Sequence, residues 1–340
     1  MHPAMFWERA EGGKVRCGLC RFRCLIAEGQ RGVCGVRENH GGSLMTLVYG
    51  RSIASHVDPI EKKPLFHYHP GSLSYSVATV GCNFRCLHCQ NYEISQWSQV
   101  PGPIPGEDLP PAEIVRLALA AGCRTIAYTY TEPTVFYEYA YDTAILAREA
   151  GIGNVFVTNG YTTPEALGGI APWLDAANVD LKGFSEKFYR EVVGATLAGV
   201  LDTLKVYKRL GIWIEVTTLV IPGHNDDVAD LKGIAGFIVN ELGAETPWHV
   251  SAFHPTYKLL DLPATPVATL HRARQIGLDA GLHYVYEGNI PGSGGENTSC
   301  PACKKVVIER QGFRLKSCHL RQDLCQFCGC RLDGVGLSGD

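Results

Sequence analysis

The stretch SVATVGCNFRCLHCQNYEIS, residues 76–95, joins an apolar, β-branched run to Cys82, Cys86 and Cys89 in the spacing C-x3-C-x2-C. Three thiolates can hold three irons of a [4Fe–4S] cube and leave the fourth iron open to a ligand, whereas four-cysteine ferredoxin spacings close every corner. The competing reading, a zinc clip, calls for four ligands in paired knuckles. The motif also follows a predicted strand, where a barrel enzyme presents its site.

From this stretch onward, β-rich runs alternate with helical patterns. Strands are predicted over Tyr75–Val80, Thr125–Tyr130, Asn154–Asn159, Ala177–Lys182, Trp213–Val220 and Trp248–Phe253, with HYVYEGN as a further candidate. Amphipathic segments stand between them. In one, Leu197, Leu201, Leu204, Lys208 and Gly211 trace a side to which Val200 and Tyr207 add. Continuous apolar strands alternating with helices indicate a parallel sheet covered by helices. The loop PGPIPGEDLPP, at 101–111, lies close to the cysteine motif and reads as a stiff connector.

The chain has 340 residues, 46% of them hydrophobic, enough for a substantial core. No apolar run reaches 18 residues and the start lacks a signal-like h-region, so no membrane span is expected. Fourteen cysteines at metal-ligand spacings, without a leader, point to a reducing cytoplasm. Residues 1–40 and 300–340 each carry seven Lys/Arg against four Asp/Glu, while the chain as a whole is at −3. A solvated surface is the simplest reading of these basic ends. The modest charge, without basic-aromatic interleaving, argues against nucleic acid.

Three segments follow: a Cys-rich N-terminal metal-binding segment, 1–40; a barrel, 41–298; and a zinc-ribbon-like segment, 299–340. At the C-terminus, Cys300-x2-Cys303 and Cys325-x2-Cys328 form two knuckles that suit zinc, with Cys318, His319 and Cys330 as spare ligands. At the N-terminus, Cys17-x2-Cys20-x3-Cys24-x9-Cys34 offers four more thiolates. Zinc is the first choice there and an auxiliary [4Fe–4S] cluster the second, making two zinc ions in the preferred reading.

The triad, together with CGLCRFRCLIAEGQRGVCGVREN, HVDPIEKKPLFHYHPGS, YTYTEPTVFYEY, NVDLKGF, TTLVIPGHND and SAFHPTYKL, resembles the radical S-adenosylmethionine superfamily. Within it, the chain looks like the AmmeMemoRadiSam-system enzymes, relatives of the pyruvate formate-lyase-activating enzymes. The resemblance implies an open (β/α)6 partial TIM barrel in which the cluster cleaves S-adenosylmethionine to a 5′-deoxyadenosyl radical that abstracts hydrogen from a substrate. It implies that Glu132, at the end of the strand TIAYTY, accepts from the methionyl amine, although Tyr130 and Thr131 replace the family's two preceding glycines. Asp180 and Lys182, two apart on a strand and so on one face, resemble the activating enzymes' S-adenosylmethionine contacts. His254, Thr158 and Asn159 resemble further contacts. Val157 stands where close activating enzymes can have an aspartate.

The implied partners are a low-potential electron donor such as flavodoxin or ferredoxin, and Memo-like and AMMECR-like proteins. The readings in competition are a glycyl-radical-enzyme activase, an RNA-modifying radical enzyme and a non-enzymatic metal-dependent scaffold.

Overall fold

The computed structural model describes residues 1–97, 103–290, 292 and 294–338. The chain divides into two compact units, residues 1–58 with 73–177 and residues 59–72 with 178–340. The class is α/β, with eight strands in its main, mostly parallel sheet. We number these β1 (Ala54–Pro59), β2 (Leu73–Ala78), β3 (Thr125–Tyr128), β4 (Gly153–Thr158), β5 (Ala176–Asp180), β6 (Trp213–Val220), β7 (Trp248–Ala252) and β8 (Val285–Gly288). Helices α1 (Pro111–Ala120), α2 (Tyr137–Glu149), α3 (Pro164–Ile170), α4 (Leu197–Arg209), α5 (Val228–Phe237) and α6 (Val267–Asp279) follow β2 to β7 in turn. All six expected strand-and-helix pairs are therefore present.

In the first unit the strands run in the order β4-β3-β2-β1. The central pairings are parallel, with Thr125 opposite both Ser74 and Gly153. All four residues of β3 are buried, as a strand covered on both faces requires. In the second unit β8, β7 and β6 pair in parallel, with Trp248 opposite both Val216 and Val285. The division between the units falls within β5, after Ala177, and also before the last residue of β1, after Asp58.

The expected six-strand pattern missed β1 and left β8 as an option. Strand β1 reads ASHVDP and buries only Asp58, so no apolar run announces it. On α4, Leu197, Val200, Leu204 and Tyr207 are buried as the periodicity predicts. Lys208 instead leaves that stripe and pairs with Glu245 at 2.6 Å. Of the loop at 101–111, the first two residues lie outside the described residues; Glu107 and Asp108 pair antiparallel with Ser52 and Arg51.

The basic ends are not simply solvated. Arg37 is buried and donates to Glu138 of α2 at 2.9 and 3.1 Å and to the Met5 carbonyl at 2.6 Å. In the second unit, Arg310 is buried over the Phe66 ring, 4.3 Å from its centroid, and donates to the Phe66 carbonyl. Both cations are consumed in fixing their segments, because a buried guanidinium requires acceptors. No helix among the described residues is long and apolar enough to cross a membrane.

Candidate functional site

Strand β2 delivers the cysteine triad. It ends at Ala78, and three residues later Gly81 turns the chain at φ 99°, so tightly that a Cβ there would lie 2.6 Å from Val36 Cγ1 and 3.1 Å from the Cys34 carbonyl. Glycine is required by both the angle and the approach. Beyond it, the Phe84 amide donates to Cys82 Sγ at 3.3 Å and the Cys89 amide to the Cys86 carbonyl at 3.3 Å. Phe84 is fully buried against Tyr161, ring centroids 5.3 Å apart.

The three thiols and one carboxylate share this place. Burial pushes the Cys82 thiol well above its ordinary range, and the nearby Glu132, Cys86 and Cys89 push it the same way. A buried thiol that resists ionisation until a cation compensates it, with two more thiols beside it, is a donor set suited to iron. The residues therefore fit a [4Fe–4S] cluster held by Cys82, Cys86 and Cys89.

Glu132 follows β3 and is wholly buried. Its Oε1 accepts from the Thr134 amide at 3.0 Å, the Thr134 hydroxyl at 2.6 Å and the Thr158 hydroxyl at 2.8 Å; Oε2 accepts from the Asn159 amide at 2.8 Å. Burial raises its pKa, while these four donors favour the ionised form. The carboxylate thus clamps the turn after β4 to the turn after β3. Asn159 extends the clamp, donating from Nδ2 to Asn83 Oδ1 at 2.7 Å, with Cys82 Sγ at 3.7 Å.

Where the family's glycines would stand, Tyr130 adopts φ 62°. That strain, on the order of 1–2 kcal/mol for a residue other than glycine, is opposed by hydrogen bonds. Asn91 Nδ2 donates to the Tyr130 carbonyl at 2.8 Å, and the Tyr130 hydroxyl donates to Asp58 Oδ2 at 2.5 Å. Sequence reasoning missed Asn91 and Asp58, which lie 39 and 72 residues from Tyr130.

In the second unit, Asp180 ends β5 and pairs with Lys182 at 2.7 Å, both partly exposed. Asn225, from VIPGHND, donates to the Lys182 carbonyl at 2.6 Å and the Leu219 carbonyl at 2.9 Å. It fixes the turn that carries Lys182, a role the sequence reading did not assign. His254, two residues beyond β7, is exposed, with Nε2 3.5 Å from the Asn289 carbonyl.

The C-terminal thiols form a second kind of centre. Cys300, Cys303, Cys325 and Cys328 have all four sulfurs within 4.8 Å of one another, with Cys300–Cys328 at 3.6 Å and Cys303–Cys325 at 3.8 Å. Tetrahedral zinc with 2.3 Å bonds requires edges of about 3.8 Å. Burial raises the Cys300 thiol, but the amides of Cys303 and Ala302 outweigh it, helped by Cys328 and Cys303, and bring it down to about 7. Cys318 and Cys330 instead point to the Leu337 and Arg331 carbonyls, at 3.8 and 3.4 Å. Neither they nor His319 belong to the foursome.

At the N-terminus, Cys17, Cys20, Cys24 and Cys34 are close enough to interact electrostatically. Burial, then the charges of the neighbouring thiols, pushes Cys20 up strongly.

The family model of the radical SAM superfamily matches residues 76–233. The chain is 50% identical over 337 residues to the uncharacterized protein MJ0808 of Methanocaldococcus jannaschii, covering 98% of this chain and all of that one. It is 22% identical over 218 residues to the pyruvate formate-lyase-activating enzyme of Clostridium pasteurianum, covering 61% of this chain and 89% of the relative. Among solved structures, a radical SAM methyltransferase from Sphaerobacter thermophilus superposes with a TM-score of 0.51 at 16% identity, over 64% of this chain and 66% of that chain. A strand-end cysteine triad in an α/β fold, the matching family model and these relatives agree: the chain belongs to the radical SAM superfamily.

Proposed function

We propose that the protein binds S-adenosylmethionine at a [4Fe–4S] cluster on Cys82, Cys86 and Cys89 and uses it to abstract a hydrogen atom from an organic substrate. The observation that carries this reading is the loop after β2, where the Cys82 thiol, with Cys86 and Cys89 beside it, stands next to the buried Glu132. When bound, the cluster supplies one electron that cleaves the S–C5′ bond, releasing methionine and a 5′-deoxyadenosyl radical that becomes 5′-deoxyadenosine by taking hydrogen. The chain's own residues hold and shield that chemistry. Phe84 and Asn83, both fully buried, keep water from the sulfurs. Glu132 and Asn159 fix the two neighbouring turns. Asp180 and Lys182 offer an anion and a cation to a ligand that carries both charges, and His254 supplies a polar contact at a strand end. The electron comes from a low-potential donor of the flavodoxin or ferredoxin kind, and the C-terminal foursome takes zinc.

A narrower reading, activation of a partner enzyme by abstraction from a glycine, is supported by the activating-enzyme relative. Anaerobic reconstitution with iron, sulfide, S-adenosylmethionine and dithionite tests the main reading. Wild type should yield 5′-deoxyadenosine and Cys86→Ala none; turnover by Cys86→Ala would defeat it. A glycyl radical signal on an added candidate partner would select the narrower one.

A further inference from the structure

The four N-terminal thiols are built against the loop that carries the triad. The Tyr161 carbonyl accepts from the Arg21 amide at 3.3 Å and from Asn83 Nδ2 at 3.4 Å, so one oxygen joins the residue after Cys20 to the residue after Cys82. Arg85 makes a second bridge, donating to the Cys82 carbonyl at 2.7 Å and to the Val33 carbonyl, next to Cys34. Gly81 makes the third, with its missing side chain replaced by Val36 and the Cys34 carbonyl. The Phe22 and Phe84 rings pack on Tyr161 at 5.0 and 5.3 Å between the two cysteine sets. A segment serving only as a structural clip has no need of three direct links to the reactive loop.

The spacing of the sulfurs separates two kinds of metal. One zinc ion draws four thiolates to edges of about 3.8 Å, as at Cys300, Cys303, Cys325 and Cys328. Among the described residues that foursome is the only set of three or more such ligand atoms within 4.8 Å of one another. Among the described residues, neither the N-terminal sulfurs nor those of the triad gather as closely as that foursome. Wider spacing suits a cluster in which each iron takes one thiolate.

We propose that Cys17, Cys20, Cys24 and Cys34 hold a second [4Fe–4S] cluster that passes single electrons to the cluster on Cys82, Cys86 and Cys89. In each transfer the N-terminal cluster goes from the 1+ to the 2+ state and the triad's cluster from 2+ to 1+. An external one-electron donor of the flavodoxin or ferredoxin class restores the first. The relay rests on the function proposed above; the second cluster does not. It replaces zinc, the first choice from spacing alone, at the N-terminal site.

Metal and sulfide analysis of the anaerobically reconstituted full chain tests the site without any substitution. About eight irons and one zinc per chain are expected, and about four irons with two zincs would overturn the proposal. In the Cys82→Ala/Cys86→Ala/Cys89→Ala protein, about four irons and an electron paramagnetic resonance signal after dithionite should remain; loss of all iron from a folded chain would refute the site. For the relay, Cys20→Ser/Cys24→Ser should keep the triad's cluster but lose the fast phase of its stopped-flow reduction by flavodoxin, and an unchanged fast phase would refute transfer. A protein with both clusters that forms no 5′-deoxyadenosine would sink the proposed function and leave the second site standing.

Discussion

Replacing Glu132 by glutamine isolates the clamp beside the triad, because the side chain keeps its size and loses one acceptor. In the native protein Oε1 takes three donors and Oε2 one, and no group donated by Glu132 is required. The amide of glutamine must face one set or the other. With its NH2 toward the Asn159 amide, two donors confront each other; with the opposite flip, three donors lose their acceptor. The less costly orientation forfeits one hydrogen bond to a charged acceptor, about 1.5–3 kcal/mol, and leaves a buried N–H unpaired at about 1–3 kcal/mol. Partial relaxation brings the expected loss to about 2–4 kcal/mol. Asn159 should shift with its amide, loosening its contacts with Asn83 and Cys82. Urea unfolding of the metal-free chain reads the stability, and the iron-to-protein ratio after reconstitution reads the loop; both should fall in Glu132→Gln. Stability within about 0.5 kcal/mol of wild type and full iron, with weaker S-adenosylmethionine binding, would refute the clamp and leave Glu132 as a ligand contact only.

Three other outcomes are expected. Asp180→Ala should weaken S-adenosylmethionine binding by about tenfold, about 1.4 kcal/mol, with iron content unchanged in titration calorimetry; loss of iron would mark Asp180 as structural instead. His67 is buried neutral between the Asp333 carbonyl and the Tyr286 hydroxyl, and burial, against an opposing pull from Glu215, brings its pKa down to about 4 from 6.5. Because the unfolded chain takes up the proton first, this group's stabilisation is complete above pH 6.5 and falls as the pH drops toward 4. The loss is about 3 kcal/mol, and urea midpoints of wild type and His67→Gln should converge over that window. Chelation of the C-terminal metal should raise amide exchange across residues 299–338 while the Cys82 cluster stays loaded, since the buried apolar set there is small and includes Cys300 and Cys325; unchanged exchange would refute a folding role for the metal.

What the sequence disclosed follows from how local each feature is. The triad is readable because its cysteines lie within eight residues, and β3 is readable because burial on both faces leaves a largely apolar run. Strand β1 escaped because its residues are mainly exposed and polar, so neither alternation nor an apolar run marks it. Glu132 was found as a site residue, but its donors come from two turns brought together by the parallel register of β3 and β4, a nonlocal fact. Tyr130 shows the limit from the other side. Two absent glycines left the backbone undecided; the fold imposes the left-handed angle on Tyr130, with help from Asn91 and Asp58. Arg37 and Arg310 added to the charge counts of the two ends, and nothing in their neighbours signalled that each is buried against acceptors far along the chain.

The cysteine sets at Cys300 and Cys82 also differ in how the fold prepares them. At Cys300, backbone amides at the knuckle, helped by Cys328 and Cys303, lower the thiol to about 7 despite burial, so this sulfur ionises far more readily than an ordinary thiol. At Cys82 burial dominates, and Glu132 and the other two thiols add to it, so the sulfur stays protonated until a cation arrives. The same carboxylate that hinders ionisation also orders Asn159 next to Cys82. A thiol that resists ionisation in a loop braced by buried hydrogen bonds gains most from a ligand that brings several positive charges at once, which an iron–sulfur core does. In the function proposed above, the polypeptide fixes the geometry and the metal would bring the compensating charge, which is how a buried anion could stand beside three thiolates in one site.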